Sequence, residues 1–128
     1  MDGLADTSVF IATESGRSLG VHALPEALVV SVITVGELRA GVLAAHDATA
    51  RDRRLSTLTW ALRLEPVPVD EAVAQSWARL RVALRDRGRR MPANDSWIAA
   101  TAIALGIPVV TQDDDYSVEV PDLEVIRV

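Results

Sequence analysis

Two short apolar runs, Ala27 to Ser31 and Pro108 to Thr111, lie between segments of helical periodicity, and together they fix the class of fold open to this chain. A run of four or five residues with no polar face reads as a strand buried on both sides. Around them, Val32 to Ala45 reads as a helix with Val35, Leu38 and Val42 on one face. Ala48 to Leu62 reads as another, with Leu55, Leu58 and Leu62 turned inward. Asp70 to Gly88 carries the clearest period, through Val73, Trp77, Leu80 and Leu84, with Asp70 as N-cap and Gly88 as the stop. After Pro92, Asn94 to Leu105 forms a further helix, its inner face being Ile98, Ala102 and Leu105 and its end Gly106. Gly3 to Asp6 opens the chain as a strand running into a short helix at Thr7 to Thr13, and Leu123 to Val128 closes it as a strand. Leu64 to Val69 holds two prolines and is an edge strand at best. Strands alternating with helices predict an α/β, three-layer sandwich: a central, mostly parallel sheet flanked by helices. The 128 residues fit a single domain with one core.

Such a sheet collects ligands at the carboxyl ends of its strands, and the acids of this sequence fall there. Asp6 ends the first strand, Glu37 lies in the first turns of the helix after the second, and Asp95 begins the helix after Pro92. Asp113 and Asp115 follow the strand that ends at Thr111. Carboxylates brought so close repel one another and shift upward in pKa. A hard divalent cation removes the conflict, since magnesium binds through few carboxylates together with waters and phosphates. Each acid also has an ordinary reading. Asp6 and Asp95 stand where helix caps stand, Asp113 to Asp115 could be a solvated turn, and Glu37 a partly exposed structural glutamate. The joint pattern carries the weight.

Composition narrows the chemistry further. The chain has no cysteine, which excludes disulfides, thiolate-bound zinc and a thiol nucleophile. All 13 basic residues are arginine, so P-loop and Schiff-base lysines are excluded. His22 and His46 lack a metal-spaced partner and are read as surface or packing residues, not an acid–base pair. Trp60, Trp77 and Trp97 fall at helical spacings and are assigned to packing. A net charge of −5 argues against a nucleic-acid partner only if charge is spread evenly, and it is not. Arginines gather at Arg51 to Arg54 and at Arg79 to Arg90, the latter read first as a solvated helix face, while acids gather at Asp113 to Asp115. No apolar run approaches the roughly 20 residues of a membrane span, and Met1-Asp2-Gly3 lacks a basic leader, so a cytoplasmic location is expected.

Four segments together resemble a known family. Leu4-Ala5-Asp6-Thr7-Ser8-Val9, Thr34-Val35-Gly36-Glu37-Leu38-Arg39-Ala40-Gly41, Pro92 to Ala102 and Val109 to Tyr116 are similar, in order and spacing, to the four motifs of PIN-domain ribonucleases. The small size resembles the VapC toxins of bacterial toxin–antitoxin pairs. The resemblance implies a PIN-like sandwich, Mg²⁺ with Mn²⁺ as a substitute, and endonucleolytic cleavage of tRNA or ribosomal RNA. It implies Asp6, Glu37, Asp95 and Asp113 as the acidic quartet, with Asp115 a fifth candidate. Asp6, Asp95, Asp113 and Asp115 are the metal-ligand candidates, and Ser8, Thr111 and Asn94 support them. Asp114 should point away if its loop is extended. The implied partners are a VapB-type antitoxin and a second copy of the chain, with DNA reached only through the antitoxin. Two other readings stay open. One is a TOPRIM-like nuclease using Asp113 and Asp115, which leaves Asp6 and Asp95 idle. The other is a catalytically silent module that binds a cation or an antitoxin, although the Asp-rich loop lacks the glycine and distal glutamate of an EF-hand. A receiver domain is excluded for want of a lysine.

Overall fold

The computed structural model describes residues 1–128 as a four-stranded, wholly parallel sheet of order β2-β1-β3-β4 between two layers of helices. The elements run β1 (Asp2–Ala5), α1 (Thr7–Ser15), β2 (Ala27–Val29), α2 (Val32–Leu43), α3 (Ala48–Arg63), α4 (Glu71–Asp86), α5 (Ala93–Leu105), β3 (Val109–Thr111) and β4 (Val125–Arg127). A 3₁₀ turn at Val21–Ala23 lies between α1 and β2. No helix is long and apolar enough to cross a membrane.

Side chains that alternate along β1 and β3 feed two separate cores. Leu4 and Val109 pack with Leu80, Leu84, Ile98 and Ala102 of α4 and α5. Ala5 and Val110 pack on the opposite face with Val9 and Phe10 of α1, Leu38 of α2 and Leu58 and Ala61 of α3. The helices take the expected stops and starts. Asp70 caps α4 by accepting from the Val73 N–H, and Gly88, just past its end, holds φ +62°.

Three sequence readings need correction. Ala27 to Ser31 is not a strand buried on both faces: β2 ends at Val29 and lies at the sheet edge, with Ala27 exposed. Ser31 instead caps α2, its hydroxyl accepting from the Ile33 N–H, and bridges to Val67. The inner face of α3 is Thr57, Leu58 and Ala61, while Leu55 and Leu62 are exposed. Leu105 is likewise exposed at the end of α5. The tryptophans are half-buried: Trp60 leans on Phe10, and Trp77 stacks on Trp97 with ring centroids 4.2 Å apart. Both histidines are exposed.

The order of strands creates a crevice. From β1 the next strand lies on one side and β3 on the other, so the connections at their carboxyl ends diverge. Ligands bind where parallel strand order reverses in this way.

Candidate active site

Asp6 lies at the mouth of this crevice, directly after β1, and is 2% exposed. It caps α1, as the ordinary reading has it, and is also tied into a hydroxyl network. Its Oδ1 accepts from the Ser8 N–H at 3.0 Å and from the Ser8 hydroxyl. Its Oδ2 accepts from the Thr111 hydroxyl at 2.7 Å. The backbone N–H of Gln112 donates to Ser8 Oγ and that of Asp113 to Thr111 Oγ1, each at 2.9 Å. The carboxylate is therefore fixed by β3 and its following loop as firmly as by its own helix. Burial raises the Asp6 pKa above the ordinary value, and these hydrogen bonds only partly oppose it; the charge of Asp113 adds to the rise.

Asp95 stands in the first turn of α5 but does not cap it. The cap position is Pro92, and no side chain closes the helix there. Burial pushes the Asp95 pKa up to about 7, followed by hydrogen bonding to Asp115 and by the charges of Asp115, Asp6 and Glu37. Glu37, half-buried on α2, accepts from the Thr7 hydroxyl at 2.8 Å, and Thr7 and Thr34 hydroxyls stand 3.1 Å apart.

These acids share one cleft of about 550 Å³, lined by Asp6, Glu37, Asp95, Asp113 and Asp115 along with Thr7, Ser8 and Asn94. Asp114 is absent from it and pairs outward with Arg127. Arg17, exposed just past the end of α1, is the one cation in the lining. Three residues of the site had no role assigned from sequence: Thr7, Tyr116 and Arg17. Tyr116 is 2% exposed, and burial, followed by the nearby charges of Asp6, Asp95 and Glu37, drives its pKa above the tyrosine range. Its hydroxyl lies near Asp95 and has no hydrogen-bond partner. The aromatic that closes the fourth motif was the available signal, since a buried phenol beside acids needs a partner.

The donor set suits a hard cation. Every candidate ligand is a carboxylate oxygen, the neighbouring acids help raise the pKa of Asp6 and Asp95, and the buried Tyr116 hydroxyl has no partner. No three of these acids stand close enough together to enclose an ion on their own. If the Tyr116 hydroxyl is an orphan, Tyr116→Phe should hold or raise stability in EDTA, by about 1 kcal/mol, since it removes an unmet desolvation penalty. A thermal melt that drops by more than that would show a hydrogen bond to the phenol.

Comparison with known proteins places these features in a family. Residues 4–119 match the PIN domain model. The chain is 48% identical over 128 residues to "Ribonuclease VapC5" of Mycobacterium tuberculosis, covering 98% of this chain and 95% of that protein. It is 52% identical over 125 residues to "Ribonuclease VapC4" of the same organism, with the same coverage. Its fold superposes on the crystal structure of VapBC-5 from M. tuberculosis, a member of the VapBC family of toxin–antitoxin systems. The TM-score is 0.92, with 43% identity over 99% of this chain and 98% of that one. FitAcB of Neisseria gonorrhoeae follows at a TM-score of 0.75 and 29% identity, over 98% and 96% of the two chains. The chain belongs to the PIN-domain family and, within it, to the VapC ribonucleases.

Proposed function

We propose that this chain is the toxin of a VapBC-type pair: a Mg²⁺-dependent endoribonuclease, with Mn²⁺ able to substitute, that hydrolyses phosphodiester bonds of tRNA or ribosomal RNA. The observation that supports this reading best is the convergence of five carboxylates from four segments on one cleft, with Asp6 and Asp95 raised in pKa. Asp6 and Asp95 would hold the cation, directly or through water, with Asp113 and Asp115 beside them. When bound, the cation neutralises the acids, lowers the pKa of water and offsets charge developing on the phosphate. The protein's own part is positional. Ser8 and Thr111 lock the Asp6 carboxylate, and Thr7 aims Glu37 so that Glu37 and Asp113 orient water toward phosphorus. Asn94, at the start of α5, lies where it can touch the substrate backbone. No histidine lines the cleft, so proton transfer falls to carboxylates and solvent.

The partner in this reading is a VapB-type antitoxin, which would also link the pair to DNA, and the toxin itself a homodimer. Support for the antitoxin comes from the likeness to VapBC-5, a member of the VapBC family of toxin–antitoxin systems. An antitoxin arginine entering the cleft would pair with carboxylates in a two-pronged geometry. Purified chain should cut RNA at selected sites in Mg²⁺ or Mn²⁺ and stop in EDTA. Equal cleavage in excess EDTA would overturn the cation requirement, and an absence of cleavage of any RNA would favour the silent binding module.

A further inference from the structure

A strongly acidic cleft repels the polyanion it is to cut, and cations around it can offset that repulsion. The chain forms only three ion pairs, and these use Met1, Arg85 and Arg127. Arg17, Arg89 and Arg90 have no acidic partner, although the net charge of the chain is −5. Eleven of the thirteen arginines lack an acidic partner, so it is position that singles these three out.

Arg85, Arg89 and Arg90 line a groove of about 380 Å³, walled by Leu84 and Met91. Ala93 lines both this groove and the acidic cleft, so the two are neighbours on the surface. The groove belongs to α4 and the α4–α5 connection, which pack on one face of the sheet. Arg17 follows α1, which packs on the other face, and it reaches into the cleft from there. The acidic centre at the strand ends therefore lies between cations supplied from opposite faces.

Resting on the ribonuclease reading above, we propose that a single RNA strand crosses the sheet edge through this site. Phosphates on one side of the scissile bond are held by Arg89 and Arg90, with Arg85, and a phosphate on the other side by Arg17. Guanidinium suits the task because its planar fork grips phosphate oxygens in pairs. Half-buried Met91 gives sugars and base edges an apolar surface that reads no sequence, so these contacts position the strand and leave site choice to other parts of the protein.

The test is binding of a fluorescent single-stranded RNA to the full chain carrying Asp6→Asn, in Mg²⁺, across a salt series. Cleavage by the otherwise native chain is followed in parallel. Arg89→Ala with Arg90→Ala should weaken binding on the order of tenfold and flatten the plot of log affinity against log salt by about 1.4, two phosphate contacts at about 0.7 each. Arg17→Ala should flatten it by about 0.7. In the cleaving protein the double variant should raise KM and spare kcat, and lysine at both positions should restore the slope. Arg53→Ala with Arg63→Ala removes the same charge from the exposed face of α3 and should leave the slope unchanged. An unchanged slope in the Arg89/Arg90 variant, or an equal loss in the α3 control, would overturn the proposal while leaving RNA cleavage intact. Arginine-dependent binding without any cleavage by the native site would sink the ribonuclease reading and keep the RNA track. An absence of RNA binding would overturn the track.

Discussion

Asp6→Asn is expected to cut RNA cleavage by on the order of 100-fold or more while leaving the fold standing. The activity loss follows from position: Asp6 is the most buried acid of the cleft, and even residues one step behind a metal ligand cost 10–100-fold or so when removed. The stability argument is one of hydrogen-bond supply. Asparagine keeps an oxygen for the Ser8 N–H, so the cap on α1 survives. Its new amide can donate to Thr111 Oγ1, which then turns its own proton to Ser8 Oγ, 3.2 Å away. The substitution also removes a charge that burial disfavours. Asp6→Ala differs, because it strands the Ser8 N–H and two hydroxyls in a buried place. It should cost about 1–3 kcal/mol. Thermal melts and RNA cleavage of both variants read the two effects apart. An Asn variant with native activity would remove Asp6 from the site, and an Asn variant as unstable as Ala would make Asp6 chiefly a structural cap.

Much of this site could be read from residue order, for a physical reason. A parallel sheet puts every strand's carboxyl end on one edge, so acids that follow strands must converge, whichever strands are neighbours. Asp114 meets Arg127 while Asp113 and Asp115 meet the cleft, as expected, but through a series of bends and a turn rather than an extended loop. Strand order was not legible, because pairing is decided by side chains far apart in sequence; hence Ala27 to Val29 looked central and lies at an edge. On α3, Leu58 faces inward as its spacing predicts, but the rest of the packed face is Thr57 and Ala61, small residues that let helices approach, while Leu55 and Leu62 face solvent. Thr7, whose hydroxyl fixes Glu37 from 30 residues away, leaves no local trace at all. Asp95 stands where caps stand, and only the structure separates the two roles: Pro92 holds the cap position, and Asp95 faces other acids.

That separation predicts an unusual pH profile. In EDTA the parent should lose stability as pH rises from about 4 to about 7, and Asp95→Asn should lose much less. The unfolded aspartate titrates near about 3.9. In the folded protein burial, Asp115 and the charges of Asp6 and Glu37 push Asp95 up to about 7. Between those values the folded state holds the proton and the unfolded state does not, so stability falls with rising pH across that window. Below it the contribution is fully present; above it the penalty is complete. Asp95 is half exposed, so solvent screening reduces the penalty to about 1 kcal/mol at neutrality. Asparagine carries no charge and escapes it, so at pH 7.5 or so the variant should melt at or above the parent. Mg²⁺ reverses the order, since a cation that binds the folded parent more tightly stabilises it more. Activity should fall on the order of 100-fold, as for Asp6. The deciding measurement is a set of melts of parent and variant across pH 4–8, with EDTA and with Mg²⁺, beside RNA cleavage. A variant that keeps full activity, full Mg²⁺ stabilisation and the parent's pH slope would remove Asp95 from the acidic centre.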